Sequence, residues 1–214
     1  MKYSVIIPVV NINLVKRLLD SIAGNTVLPY KILIIDNSMN KTVFPTYGGL
    51  SIEVFDSGRC MGVNESWNLG ISRIDKCDYA AILNDDIVLG KYFFENNIDT
   101  FECYPNCGAV CPETVNDINM MKDSKVDRVL IMTKREGWAM SFRWEVLKQI
   151  PPIPDHLKTF CGDDWYWLHS YLKNKQYWLK NMGNVIYHEV GVSVLKLGLR
   201  DQLRHEKNIY RSMR

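Results

Sequence analysis

The chain has 214 residues, 47% of them hydrophobic, enough to bury the core of one domain. Its formal net charge of +2 excludes a protein that coats nucleic acid over its whole surface, and leaves a local basic patch open. No window reaches the roughly 18 to 20 uninterrupted apolar residues of a spanning helix, and Met1-Lys2-Tyr3 leads into a strand without the features of a signal peptide, so a cytoplasmic chain is expected.

The apolar run Tyr3 to Pro8 predicts a first strand, followed by a helix over Leu14 to Ala23 and strands over Lys31 to Asp36 and Ile52 to Phe55. Next come a helix over Val63 to Ile71, a strand over Tyr79 to Leu83, a helix over Tyr92 to Glu102, and a short strand Gly108 to Cys111 stopped by Pro112. This alternation predicts an α/β fold with parallel strands and crossover helices. Beyond residue 112 the order is less regular. Polar Glu113 to Asp127 precedes strands at Val129 to Met132 and Trp138 to Phe142, Pro151-Pro-Ile-Pro154 breaks the chain, and a helix over Asp163 to Lys173 leads to short strands at Tyr177 to Leu179 and Val185 to Tyr187.

The six cysteines, Cys60, Cys77, Cys103, Cys107, Cys111 and Cys161, are expected to be reduced thiols. The spacing of Cys103, Cys107 and Cys111 lacks the Cys-x-x-Cys pairs of structural zinc, so these three are read as buried structural thiols. The turn after the first strand, Pro8-Val-Val-Asn-Ile-Asn13, has no glycine, which disfavours a nicotinamide or flavin enzyme, and no Walker phosphate loop occurs.

The run Ala80-Ala-Ile-Leu-Asn-Asp-Asp-Ile-Val88 ends a buried strand in two carboxylates and a carboxamide. In isolation Asn-Asp-Asp is an ordinary turn or helix cap. At the carboxyl end of a strand in an open α/β sheet, the same hard oxygen ligands suit Mg²⁺ or Mn²⁺ holding a diphosphate. Asp36 ends the second strand at the same rim, where it can accept hydrogen bonds from a nucleobase or ribose.

Several pieces in order resemble the GT-A fold glycosyltransferases of glycosyltransferase family two: Ser4-Val-Ile-Ile-Pro8, Ile34-Ile-Asp-Asn-Ser38, Gly62-Val-Asn-Glu-Ser-Trp-Asn-Leu-Gly-Ile71, Leu83-Asn-Asp-Asp-Ile87, Gly108-Ala-Val-Cys-Pro112, Gly137-Trp-Ala-Met-Ser-Phe142, Gly162-Asp-Asp-Trp165 and Val185-Ile-Tyr-His-Glu-Val-Gly-Val-Ser193. The resemblance implies a Rossmann-like domain over residues 1–195 with a mostly parallel central sheet flanked by helices. It also implies an inverting transferase that moves a hexosyl or pentosyl group from a nucleotide-diphospho-sugar to an acceptor hydroxyl with Mn²⁺ or Mg²⁺. By the same resemblance the donor is held around Pro8, Val10, Asp36, Asn68, Asn84 and Asp85, and the metal by Asp86 and His188. The family's acidic triplet has Asp at its first position, where this chain has the neutral and weaker ligand Asn84.

The pair Asp163-Asp164 matches the family's acidic dyad, whose second member resembles the base that takes the acceptor proton. Helix capping explains acids at this point equally well, and the assignment within the pair stays open, leaning to Asp164. Trp165, next to the dyad, either serves the core or stacks on the acceptor. The acceptor class implied is a glycan or lipid-linked glycan, with a modified nucleic acid kept open by the tail. That tail, residues 196–214, carries six Lys or Arg against two acids and reads as an amphipathic basic helix. It either packs back on the domain or contacts an anionic membrane peripherally. Two other functions fit the acids: a catalytically silent nucleotide- or glycan-binding relative, and a nucleotidyltransferase, which lacks its usual basic phosphate loop here.

Overall fold

A computed structural model describes the chain except residues 39–42, 123, 126–127, 134, 189–197 and 214. Its elements are β1 (Tyr3–Val9), α1 (Ile12–Ala23), β2 (Lys31–Asp36), β3 (Ile52–Asp56), α2 (Val63–Arg73), β4 (Tyr79–Leu83), β5 (Ile87–Leu89), α3 (Phe93–Cys103) and β6 (Cys107–Val115). Then follow β7 (Val129–Ile131), β8 (Ala139–Arg143), α4 (Trp144–Leu147), α5 (Gly162–Trp167), a π-helical stretch Leu168–Lys173, β9 (Tyr177–His188) and α6 (Arg200–Ser212). The sheet runs β3-β2-β1-β4-β8-β6-β9-β5, with β7 also paired to β9. Its first half, β3-β2-β1-β4, is parallel, and antiparallel β8 then joins β4 to β6.

Both faces of the sheet are covered, which is why its central strands read as unbroken apolar runs. Alternate residues feed two cores. Tyr3, Val5, Ile7, Ile32, Ile34, Tyr79, Ala81 and Leu83 join α1 and α3 on one face, while Ile6, Leu33, Ile35, Ala80 and Ile82 meet α2 and α5 on the other. The aromatic residues of the second half close that second core, with Tyr166 between Trp67 and Phe142.

Several expectations are corrected. Pro112 does not stop β6, which continues to Val115: it sits where the β6–β9 register shifts between Pro112 and Glu113, so its missing N–H disturbs no regular ladder. The two short strands expected after residue 176 are one strand, β9. The polar stretch inside β9 is buried against α3, with Asn181 Nδ2 donating to Thr100 Oγ1 at 2.7 Å and Asn184 Nδ2 to Asn97 Oδ1 at 2.7 Å. All six cysteines are free thiols; Cys107 and Cys111 are buried, but Cys103 is exposed at the end of α3.

The tail packs back on the domain as α6. Glu206, 2% exposed, accepts from the Thr159 and Phe160 N–H groups at 3.1 and 2.7 Å, and Tyr210 is buried in the second core. The part of the tail before residue 198 lies outside the described residues. Among the described residues no helix is long and apolar enough to cross a membrane.

Candidate active site

Parallel pairing brings the carboxyl ends of β1, β2 and β4 to one edge, with Val9 beside Asp36 and Ile6 beside Ile82. Strand β8 runs the other way, placing Trp138 at the same edge, where its carbonyl accepts the Asn84 N–H at 2.9 Å. His188 closes β9 opposite Ile87, so the turn Asn84-Asp85-Asp86 meets an imidazole.

His188 Nε2 lies 3.4 Å from Asp86 Oδ2, and the two side chains are 9% and 12% exposed. Among the described residues, Asp86 Oδ1 and His188 Nδ1 are buried without a hydrogen-bond partner. Leaving such atoms unpaired costs about 1 to 3 kcal/mol each, a cost that a bound ligand relieves. Trp138 fixes the imidazole by stacking on it, centroids 4.8 Å apart, and its own Nε1 donates to Thr114 Oγ1 at 2.9 Å. Among the described residues no three His, Cys, Asp or Glu side chains converge as a closed metal cage. A carboxylate and an imidazole with orphaned atoms nevertheless fit a divalent cation that takes its remaining donors from phosphate and water.

The other expected donor-binding residues are spread around this mouth. Asp85 turns its Oδ2 back to the β1–α1 turn, accepting from Val10 and Asn11 N–H at 2.9 and 3.1 Å. Burial pushes its pKa up to about 6 in spite of those two donors. Asp36, 5% exposed, closes a turn by accepting from Ser38 N–H at 2.9 Å. Pro8 is buried within β1, and Val10 is exposed at the rim. Asn84 is half-buried in the turn. Asn68 is tied elsewhere: its amide exchanges two hydrogen bonds with the backbone of Ile153, at 2.8 and 2.9 Å.

The acidic dyad opens α5, where first-turn carboxylates complement the helix dipole. Cys161, just before it, holds a left-handed φ of 63°, and Gly162 fits because a Cβ there would lie 2.2 Å from Asn64 Oδ1. Asp163 packs on Gly137, whose added Cβ would come within 3.1 Å of the Asp163 Cβ. Because Gly137 touches Asp163 and the adjacent Trp138 stacks on His188, two consecutive residues join the dyad to the Asp86–His188 pair.

The two acids differ in their partners. Arg135 grips Asp164 Oδ1 through Nε at 2.6 Å and Nη2 at 2.5 Å. Burial, followed by the Asp164 charge, pushes the pKa of Asp163 up to about 6. With Thr133 and Arg135, both acids line a cavity of about 240 Å³. Tyr210 of α6 supports the dyad from behind, its hydroxyl donating to the Asp164 carbonyl at 3.0 Å. Trp165 belongs to the core: it is 9% exposed and its Nε1 donates to Pro151 O at 2.8 Å.

Sequence reasoning missed Arg135 and the ion pairs that anchor its loop, Lys180 with Glu136 at 3.2 Å and with Glu113 at 3.0 Å. These residues lie far apart in the chain and in no local pattern, so only the Gly137-Trp138 piece pointed to the loop.

No family model and no curated protein sequence matches the chain. Solved structures do. S. aureus TarS 1–349 in complex with UDP superposes with a TM-score of 0.65 at 16% identity, covering 90% of this chain and 62% of that one. The same protein in complex with UDP-GlcNAc gives 0.65 at 14% identity over 87% of this chain and 58% of that one. GalNAc-T7 with UDP, GalNAc and Mn²⁺ gives 0.66 at 12% identity over 87% of this chain and 43% of that one. The chain thus spans less than two thirds of each of these proteins. A mixed sheet covered by helices on both faces, with its acids gathered at one edge, has the GT-A fold that these structures share.

Proposed function

We propose that the chain is an inverting glycosyltransferase that moves a sugar from a nucleotide-diphospho-sugar to an acceptor hydroxyl. The observation that carries this reading is the buried Asp86–His188 pair, with an orphaned atom on each side chain, joined through Gly137 and Trp138 to an acidic dyad. Asp86 and His188 would hold Mn²⁺ or Mg²⁺, which when bound supplies positive charge to the donor's diphosphate. The solved structures that contain UDP, UDP-GlcNAc or Mn²⁺ support the same donor class.

In this reading Asp36 receives the base or ribose, and the β1–α1 turn at Pro8 and Val10, braced by Asp85, borders the donor. The dyad supplies the base. Although the resemblance leans to Asp164, Arg135 already neutralises that carboxylate, and Asp163 retains a proton affinity matched to a general base near neutral pH. Asp163 takes the acceptor hydroxyl proton as that oxygen attacks the anomeric carbon from the face opposite the diphosphate. The bond from carbon to the diphosphate oxygen breaks, its electron pair stays on the diphosphate, and the configuration inverts.

The test is release of nucleoside diphosphate from UDP-, GDP-, dTDP- and CDP-sugars with Mn²⁺. We expect turnover with one nucleotide class and its loss in Asp86→Ala. Turnover undiminished in Asp86→Ala would overturn the assignment.

A further inference from the structure

Helix α6 uses one face to hold the domain together and leaves the opposite side to solvent. Arg200, Arg204, Lys207 and Arg211 are all exposed and recur at spacings of four, three and four residues. At 3.6 residues per turn they fall within an arc of about 60° and form a row about 16 Å long. No acid lies within that arc. Among the described residues the one ion pair on the helix joins Arg204 to Asp201 at 3.9 Å, with the side chains 80% and 98% exposed, too open to neutralise the row. Among the described residues Arg200, Lys207 and Arg211 form no ion pair, although the whole chain carries a net charge of only +2.

We propose that this face of α6 docks the protein on an anionic lipid membrane. Charge complementarity selects an anionic occupant, and the shape of the face selects a surface over a strand. The row stands on a convex helix, and its one aromatic residue, Tyr210, is buried, so the face offers neither the groove nor the stacking rings that hold single-stranded nucleic acid. A flat layer of phosphate headgroups meets all four cations at once. The same helix touches the dyad from its inner face, through the Tyr210 hydroxyl and the Asp164 carbonyl, so docking its outer face brings the acidic dyad close to the lipid surface. Docking itself does not depend on the glycosyl-transfer reading, whereas delivery of a lipid-linked acceptor to that cavity does.

The test is flotation of the full chain with vesicles of phosphatidylcholine alone and with added phosphatidylglycerol, at low and high salt. We expect binding only to the phosphatidylglycerol vesicles, release by salt, and a loss of roughly fivefold per charge removed, about 25-fold in the Arg204→Gln/Lys207→Gln double variant. Both positions are exposed and outside the catalytic machinery, so Mn²⁺-dependent nucleotide binding, measured in parallel, stays unchanged. No binding to anionic vesicles, or binding undiminished in the double variant, overturns the proposal. So does retention on polyuridylate without any vesicle binding. A chain that floats but binds no nucleotide keeps the docking proposal and defeats the proposed function.

Discussion

At the scale of single residues the site is organised by carboxylates that are costly to ionise. Asp163 and Asp85 each have a folded-state pKa raised from 3.8 to about 6. The folded chain therefore binds their protons more tightly than the unfolded chain does. The stabilisation from those protons is complete below pH 3.8 and is lost as pH rises through about 6. Asp163→Asn should therefore raise the unfolding free energy at pH 7 by on the order of 1 to 3 kcal/mol and give no gain at pH 3, read from urea titrations at both values. The same variant should lower sugar transfer by about 10²- to 10⁴-fold, the usual worth of a general base. A purely structural Asp163 would give a variant that is no more stable and still active. The acids themselves were legible in the sequence, because they end apolar runs or open a helix. What surrounds them was not: Arg135 reaches Asp164, Lys180 anchors the Arg135 loop through Glu136, and Trp138 stacks on His188, through contacts that no local periodicity encodes.

At the scale of elements, α5 is seated by its neighbours. Gly162 allows its first turn to lie against Asn64 and Trp67, where a Cβ would approach to 2.2 and 2.6 Å. Both neighbours are held in place: the Asn64 amide donates to the carbonyls of Leu157 and Phe160, both at 2.9 Å, and buried Trp67 stacks on Tyr166 with centroids 5.8 Å apart. Gly162→Ala should cost about 1 to 3 kcal/mol in thermal unfolding through overpacking and should reduce turnover by displacing the dyad. Helix α6 closes the same region, and Glu206→Ala would leave the Thr159 and Phe160 N–H groups without their carboxylate, a loss of about 2 to 4 kcal/mol measurable in guanidinium. Most of the regular elements could be read from periodicity. The short β5 and α4 were not expected, and β6 and β9 were misjudged, because a proline at a register shift and a polar run answered by Asn96, Asn97 and Thr100 of α3 imitate breaks in a strand.

At the scale of the whole molecule, the parallel half of the sheet gathers Asp36, the Asn84 turn and the β1–α1 turn, and the antiparallel crossing of β8 adds Gly137 and Trp138. Only this mixed topology brings Asp86, His188 and Asp163 to one edge from three separate stretches of chain. The fold class was legible because alternating strands and helices leave few topologies, while the site's closure through β8 and β9 depended on pairings between distant segments. The proposed function depends on Asp86 and His188 together holding a divalent cation for a nucleoside diphosphate. It is tested most directly by thermal unfolding of the wild-type chain and of Asp86→Ala with UDP, GDP, dTDP and CDP, each with and without Mn²⁺. Saturation at about 100 times the dissociation constant adds about 2.7 kcal/mol. One diphosphate should raise the wild-type midpoint only when Mn²⁺ is present, and Asp86→Ala should abolish the rise. An equal shift in Asp86→Ala, or no response to any nucleotide in the wild-type chain, would contradict it.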